Sequence, residues 1–173
     1  MKKIVLVLIC CLCIAFIFFN SSKTGTASNN ISENIVNRVV TMLKESDYLD
    51  SDIIDKVKER GIDKSDLNVL VRKSAHAFEF FLLAVVVFIT ISFAKVNKVE
   101  AFIYPLFVVL LFAVFDELFQ KYVQGRTSSL IDVLIDFSGG IIGTTLSNMV
   151  FALGSKIKNK DRKGRRSNKA DRN

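Results

Sequence analysis

The chain has 173 residues, half of them hydrophobic, with a mean hydropathy of +0.36 and a formal charge of +7. A soluble domain of this size needs more polar surface, so that class is excluded, and the apolar residues fall in blocks long enough to cross a bilayer. The charge has one source: beyond Leu153 there are nine Lys or Arg against two Asp, which is the whole excess. A basic tail beside an apolar block suits anionic lipid headgroups. No DNA-binding motif accompanies it, so nucleic acid is not an expected partner.

The first block, Ile4–Phe19, follows Lys2 and Lys3. It reads as a retained helix in preference to a cleaved signal peptide, and either reading puts the next segment outside the membrane. Cys10, Cys11 and Cys13 lie within it. They are too close together for a disulfide framework. Ile9, Cys10 and Leu12 stand before them where a lipoprotein site needs a small residue, so they read as apolar fillers.

Asn20–Val71 is polar, of mixed charge and helically patterned. Ile35, Val36, Val39, Val40 and Leu43 form one stripe, with Ser32 expected to cap that helix. Leu49, Ile53, Ile54 and Val57 form a second, ended by Gly61. Two short amphipathic helices against the membrane surface or the bundle are expected. Lys23-Thr24-Gly25 matches a penicillin-binding triplet only by chance, because no SxxK nucleophile accompanies it.

Three further apolar blocks follow: Ala75–Ala94, Val99–Phe119 and Leu130–Leu153. Pro105 is close enough to the start of its block to be tolerated. The fold class is therefore an all-α membrane protein. Four transmembrane helices at about 4–19, 75–94, 99–119 and 130–153 form one domain over 1–153, with an extracytoplasmic helical insert at 20–71. Residues 154–173 are expected to be a disordered cytoplasmic tail. Lys2, Lys3, Lys95, Lys98 and the tail share one side, which the positive-inside rule makes the cytoplasm, so both termini are inside. Lys121 and Arg126 are the minor exception.

On that topology the ionisable residues gather at one level. Arg72, Lys73, His76 and Glu79 enter with the second block, and Asp116, Glu117 and Gln120 end the third. Arg126 is in the outer loop, and Asp132 and Asp136 open the fourth block. Within the apolar blocks Glu100 alone lies elsewhere. His76 and Glu79 are i, i+3; Asp116 and Gln120, like Asp132 and Asp136, are i, i+4, so each helix offers one polar face. Ionisable groups in lipid are costly unless paired or wet, and so face a shared interior.

Asp132 and Asp136 suit a helix N-terminus, whereas Asp116 and Glu117 sit at the disfavoured C-terminal end. At least one of the latter two is expected to pair with Arg72 or Arg126. Glu117 and Lys121 read as snorkelling to the interface. No ligand spacing matches a metal motif, so neither metal nor cofactor is expected. Gly139-x-x-x-Gly143, with Ser138, Gly140 and Ser147, reads as a close-packing face open to a second copy of the chain or to a larger complex.

These residues resemble the VanZ-like family. The resemblance is carried by Arg72-Lys73-x-x-His76-x-x-Glu79-Phe80, Asp116-Glu117-x-x-Gln120, Gly125-Arg126-x-x-Ser129-x-x-Asp132 and Asp136-x-x-Gly139-Gly140-x-x-Gly143. The Ser-rich segment from Phe19 to Gly25 is also similar, and the likeness reaches to about Leu153. Gln124 stands where the family often has Pro. Asp136 stands where it often has Asn, so a role for an amide there does not carry over. The resemblance implies a small multi-pass protein of the bacterial cytoplasmic membrane. The family's namesake is linked to teicoplanin resistance at the cell envelope.

Two main functions are weighed, with catalysis the less favoured. In the first, an outer-leaflet pocket binds a lipid headgroup, a lipid-linked envelope precursor or a lipophilic glycopeptide. Arg72, Lys73, His76, Glu79, Asp116, Glu117, Gln120, Arg126, Asp132 and Asp136 would form it, with Phe78, Phe80, Phe81, Phe119 and Tyr122 lining its apolar part. In the second, a hydrolase or transferase acts on a lipid-linked phosphate, with His76 as acid/base and Asp116 or Glu117 orienting it. No nucleophile stands out, and Ser129 is better explained as the cap of the fourth block.

Overall fold

The computed structural model describes the backbone of residues 2–45, 64–94 and 96–170. It is all-helical there: α1 (Lys2–Ser21), α2 (Gly25–Glu45), α3 (Lys64–Ser92), α4 (Lys98–Gln120) and α5 (Leu130–Ala170). Helices α1, α3, α4 and α5 are long and apolar enough to cross a membrane. Their outward side chains are the large apolar ones, such as Leu12, Phe16, Phe107, Leu134 and Ile142, as a lipid-facing surface requires. The interior is a chain of smaller contacts among Ile17, Phe80, Leu83, Ala84, Val87, Val109, Ala113 and Val133.

Helix α3 packs most extensively on α5, and glycine is the reason. A Cβ on Gly139 would collide with the backbone carbonyl of Ala77, and one on Gly143 would meet that of Phe81 at 2.6 Å. A Cβ on Gly140 would instead meet the side chain of Val109 on α4. Gly139 and Gly143 thus pack inside the chain, where the missing side chains let the backbones of α3 and α5 touch.

Two sequence expectations change. Helix α3 begins at Lys64, earlier than the apolar block, because hydropathy marks where a helix enters lipid and not where it starts. Ser32 is not a cap. It lies buried inside α2, and its hydroxyl donates to the Ser28 carbonyl at 2.8 Å, an alternative for a mid-helix serine. Helix α5 continues to Ala170, beyond the apolar block that ends at Leu153. Extending an existing helix avoids a new nucleation step, and Lys and Arg are good helix formers.

Of the first amphipathic stripe, Val36 is buried while Ile35 and Val39 are exposed. The second stripe, from Leu49 to Val57, lies outside the described residues. Helix α4 opens with a capping box. Asn97 accepts from the Glu100 N–H at 2.9 Å and donates its own N–H to the Glu100 carboxylate at 3.1 Å. Glu100, the acid that sequence alone leaves away from the polar level, therefore has a local structural role. The helix runs on unbroken through Pro105.

Candidate functional site: a polar cavity at one end of the bundle

The C-terminal end of α4 and the first two turns of α5 meet α3 and the 121–129 loop at one end of the bundle. A cavity of about 70 Å³ lies there. Eight of the expected residues line it: Arg72, Lys73, His76, Glu117, Gln120, Arg126, Asp132 and Asp136. Glu79 lines a neighbouring cavity of about 140 Å³, which shares Arg72, His76 and Arg126 as its wall. Asp116 lies behind both, fully buried.

The expected direct pairing of an arginine with Asp116 or Glu117 does not occur among the described residues. Arg126 reaches Asp116 through Gln120 instead. The guanidinium Nη1 donates to Gln120 Oε1 at 3.0 Å, and Gln120 Nε2 donates to Asp116 Oδ2 at 2.7 Å. Because guanidinium only donates and carboxylate only accepts, the amide must face this way round. Gln120 Nε2 also approaches the Ser21 hydroxyl at 3.4 Å, which ties α1 into the network.

Glu117 needs no cation either. Its Oε1 accepts the Ser129 N–H at 2.5 Å, and Ser129 Oγ accepts the Ile131 N–H at 3.2 Å as the cap of α5. Glu117 thus sits against the positive end of a neighbouring helix dipole, which offsets its position at the end of its own helix. It is 4% exposed, so it does not snorkel, while Lys121 is exposed. With Glu117 on the cap N–H, Asp132, three residues beyond Ser129, is released from a local capping box. It pairs with Lys73 at 2.5 Å.

His76 and Glu79 meet as their spacing requires, with Nδ1 to Oε2 at 3.5 Å. The partner of His76 is therefore Glu79 and not the expected Asp116 or Glu117. Glu79 is held in turn by Asn20 Nδ2 at 2.7 Å, and Asn20 Oδ1 accepts from Lys23 at 2.9 Å. Arg72 donates to Asn29 Oδ1 on α2 at 2.9 Å. Arg126 Nε donates to the Lys23 carbonyl at 3.3 Å. Burial and the Arg72 guanidinium push the Arg126 pKa below its usual value. Nη2 of Arg126 has no hydrogen bond to another described residue, so this half-buried cation retains donor capacity.

The loop is held by backbone contact. Gly25 N–H donates to the Gln124 carbonyl at 3.1 Å, and Gly125 has φ +75°, where a side chain would be strained. A Cβ on Gly25 would strike the Gly125 carbonyl. The Ser-rich segment after α1 and the Gly125-Arg126 pair, two separate parts of the sequence resemblance, are therefore one structural unit.

The VanZ/LLP1 family model matches residues 5–151, most of the chain. The chain belongs to the VanZ/LLP1 family. Comparison with curated proteins and with solved structures gives no match. The VanZ/LLP1 match includes every residue of the cavity and the segment that follows α1.

Sequence reasoning did not include Asn20, Ser21, Lys23 or Asn29 among the site residues. The motif after α1 pointed to the first three; nothing local pointed to Asn29. The five aromatics expected to line the pocket do not reach the polar cavity. Phe80 is core, Tyr122 is 86% exposed, and Phe119 packs edge-on against Phe18. Phe78 stacks on Phe81 with ring centroids 5.8 Å apart.

Proposed function

We propose that this membrane protein binds the anionic headgroup of a lipid in the polar cavity, at the extracytoplasmic face of the bacterial cytoplasmic membrane. The reading rests on one observation. Arg126 is half-buried at a cavity between apolar helices, held by Gln120 and Lys23, with Nη2 unbonded among the described residues and Arg72 on the same wall. A guanidinium in that state is preorganised for phosphate or carboxylate. The cavity volume of about 70 Å³ supports a headgroup and not a whole glycopeptide, since sites for drug-sized molecules run to about 300–1,000 Å³. The facing supports the extracytoplasmic side, because Lys3, Lys98 and the basic tail belong to the opposite end.

Native mass spectrometry of the detergent-purified protein tests this. Phosphatidylglycerol should be retained and diacylglycerol, which lacks the phosphate, should not. Arg126→Lys should weaken phosphatidylglycerol retention about tenfold, because an ammonium cannot reproduce the planar fork. Equal retention of both lipids would reject the reading.

A second reading, a hydrolase or transferase on a lipid-linked phosphate, is favoured by the chain from His76 through Glu79 to Asn20. A carboxylate held by an amide lies 3.5 Å from the imidazole at the cavity wall, near enough to pair with it when it is protonated. If His76→Gln abolishes turnover of an added lipid phosphate while retention persists, this reading prevails. If no turnover occurs in the wild type, binding stands alone.

A further inference from the structure

We propose that the lipid recognised at the cavity is a phosphate on a single prenyl chain long enough to pass the bilayer midplane. This rests on the headgroup reading above and adds the identity of the tail. Helices α3 and α5 share one seam. At the polar end it opens as the cavity, lined by His76 and Asp136 among others. At Gly139 and Gly143 it is closed by backbone contact with Ala77 and Phe81. Beyond that it opens again into an apolar groove of about 550 Å³, lined by Val85, Ile89, Leu146, Ser147, Val150 and others.

The depth of the groove selects the chain. On α3 the groove runs from Phe81 to Phe93, about 8 to 26 Å below His76 at helical rise. The hydrocarbon of one leaflet is about 15 Å thick, half of a core of about 30 Å. The groove therefore crosses the midplane and runs into the other leaflet. A diacyl lipid anchored by its phosphate fills only the near part of the groove, whereas a long prenyl chain fills its length.

The surface between the two openings is apolar on one flank. Ile135 lines the cavity and Leu146 the groove, and exposed Ile142 lies between them on the same helical face. Across the seam, Phe78, Leu82 and Val85 recur in the same way, with Phe78 58% exposed and stacked on Phe81. Arg72 and Arg126 supply the complementary charge at the head, and the groove supplies an uncharged channel for the tail.

The test uses the purified full chain and two probes with the same phosphate and one prenyl chain each, farnesyl phosphate and undecaprenyl phosphate. Native mass spectrometry should show undecaprenyl phosphate retained about tenfold more tightly. Ser147→Phe and Val85→Phe, which fill the groove, should bring the two to parity while leaving farnesyl phosphate retention unchanged. Unchanged farnesyl phosphate retention also certifies that each variant folds. Equal retention of both probes by the wild type, or a preference that survives both substitutions, would overturn the tail assignment alone. Retention of neither probe would overturn the headgroup reading with it.

Discussion

Glu117 on α4 completes the cap of α5: its carboxylate takes the N–H of Ser129 at 2.5 Å, the place that a glutamate three residues into α5 would otherwise fill. The position inside α5 is occupied by Asp132, which is thereby free to meet Lys73 on α3. One hydrogen bond between helices so fixes where α5 begins and which way its acids face.

Glu117→Ala should therefore destabilise the fold by about 1–2 kcal/mol, the cost of a part-buried N–H left without its partner. Glu117→Gln keeps an acceptor and should lose less than half of that. Thermal unfolding in a fixed detergent reads both values. Equal stability of the alanine variant and the wild type would mean that the bond does not position α5.

Lys73 and Asp132 are each nearly one-third exposed, so their ion pair should add little stability, about 0–1 kcal/mol of coupling in a double-mutant cycle. Asp132→Asn should nevertheless strengthen retention of phosphatidylglycerol, because it removes a negative charge from the cavity wall and frees Lys73 for the phosphate. A large loss of stability with unchanged lipid retention would make Asp132 purely structural.

Two glycines of α5 make a matched pair. Gly139→Ala places a methyl against the Ala77 carbonyl, whereas Gly154→Ala meets nothing within 4 Å. The first should destabilise by about 1–3 kcal/mol, as overpacking does. The second should be neutral or stabilising by up to about 1 kcal/mol through helix propensity. Comparison of their unfolding temperatures checks it, and similar values would mean that α3 and α5 do not touch at Gly139.

The level of the polar groups was legible because helical spacing and topology both follow from the chain itself. His76 with Glu79 and Asp116 with Gln120 pair as their i, i+3 and i, i+4 positions require. What sequence did not reveal lies between helices. Glu117 finds a partner twelve residues on, across a loop whose course is set by the Gly25–Gly125 contact. Arg126 meets an amide where a carboxylate was expected, because Gln120 stands between it and Asp116. Hydropathy placed the apolar part of α3 but not its polar start at Lys64, since a helix outside lipid needs no apolar run.

Thiol labelling bears most directly on the central claim, that acids and bases from three apolar helices share a wet cavity. In a background with Cys10, Cys11 and Cys13 replaced by Ser, cysteine is placed singly at Asp132, on the cavity wall and partly exposed, and at Leu134, on the outer surface of the same helix. A membrane-impermeant charged thiol reagent should label position 132 from one side of the membrane and leave position 134 unlabelled, because a thiolate does not form in hydrocarbon. Labelling of both positions alike, or of 134 alone, would contradict the cavity.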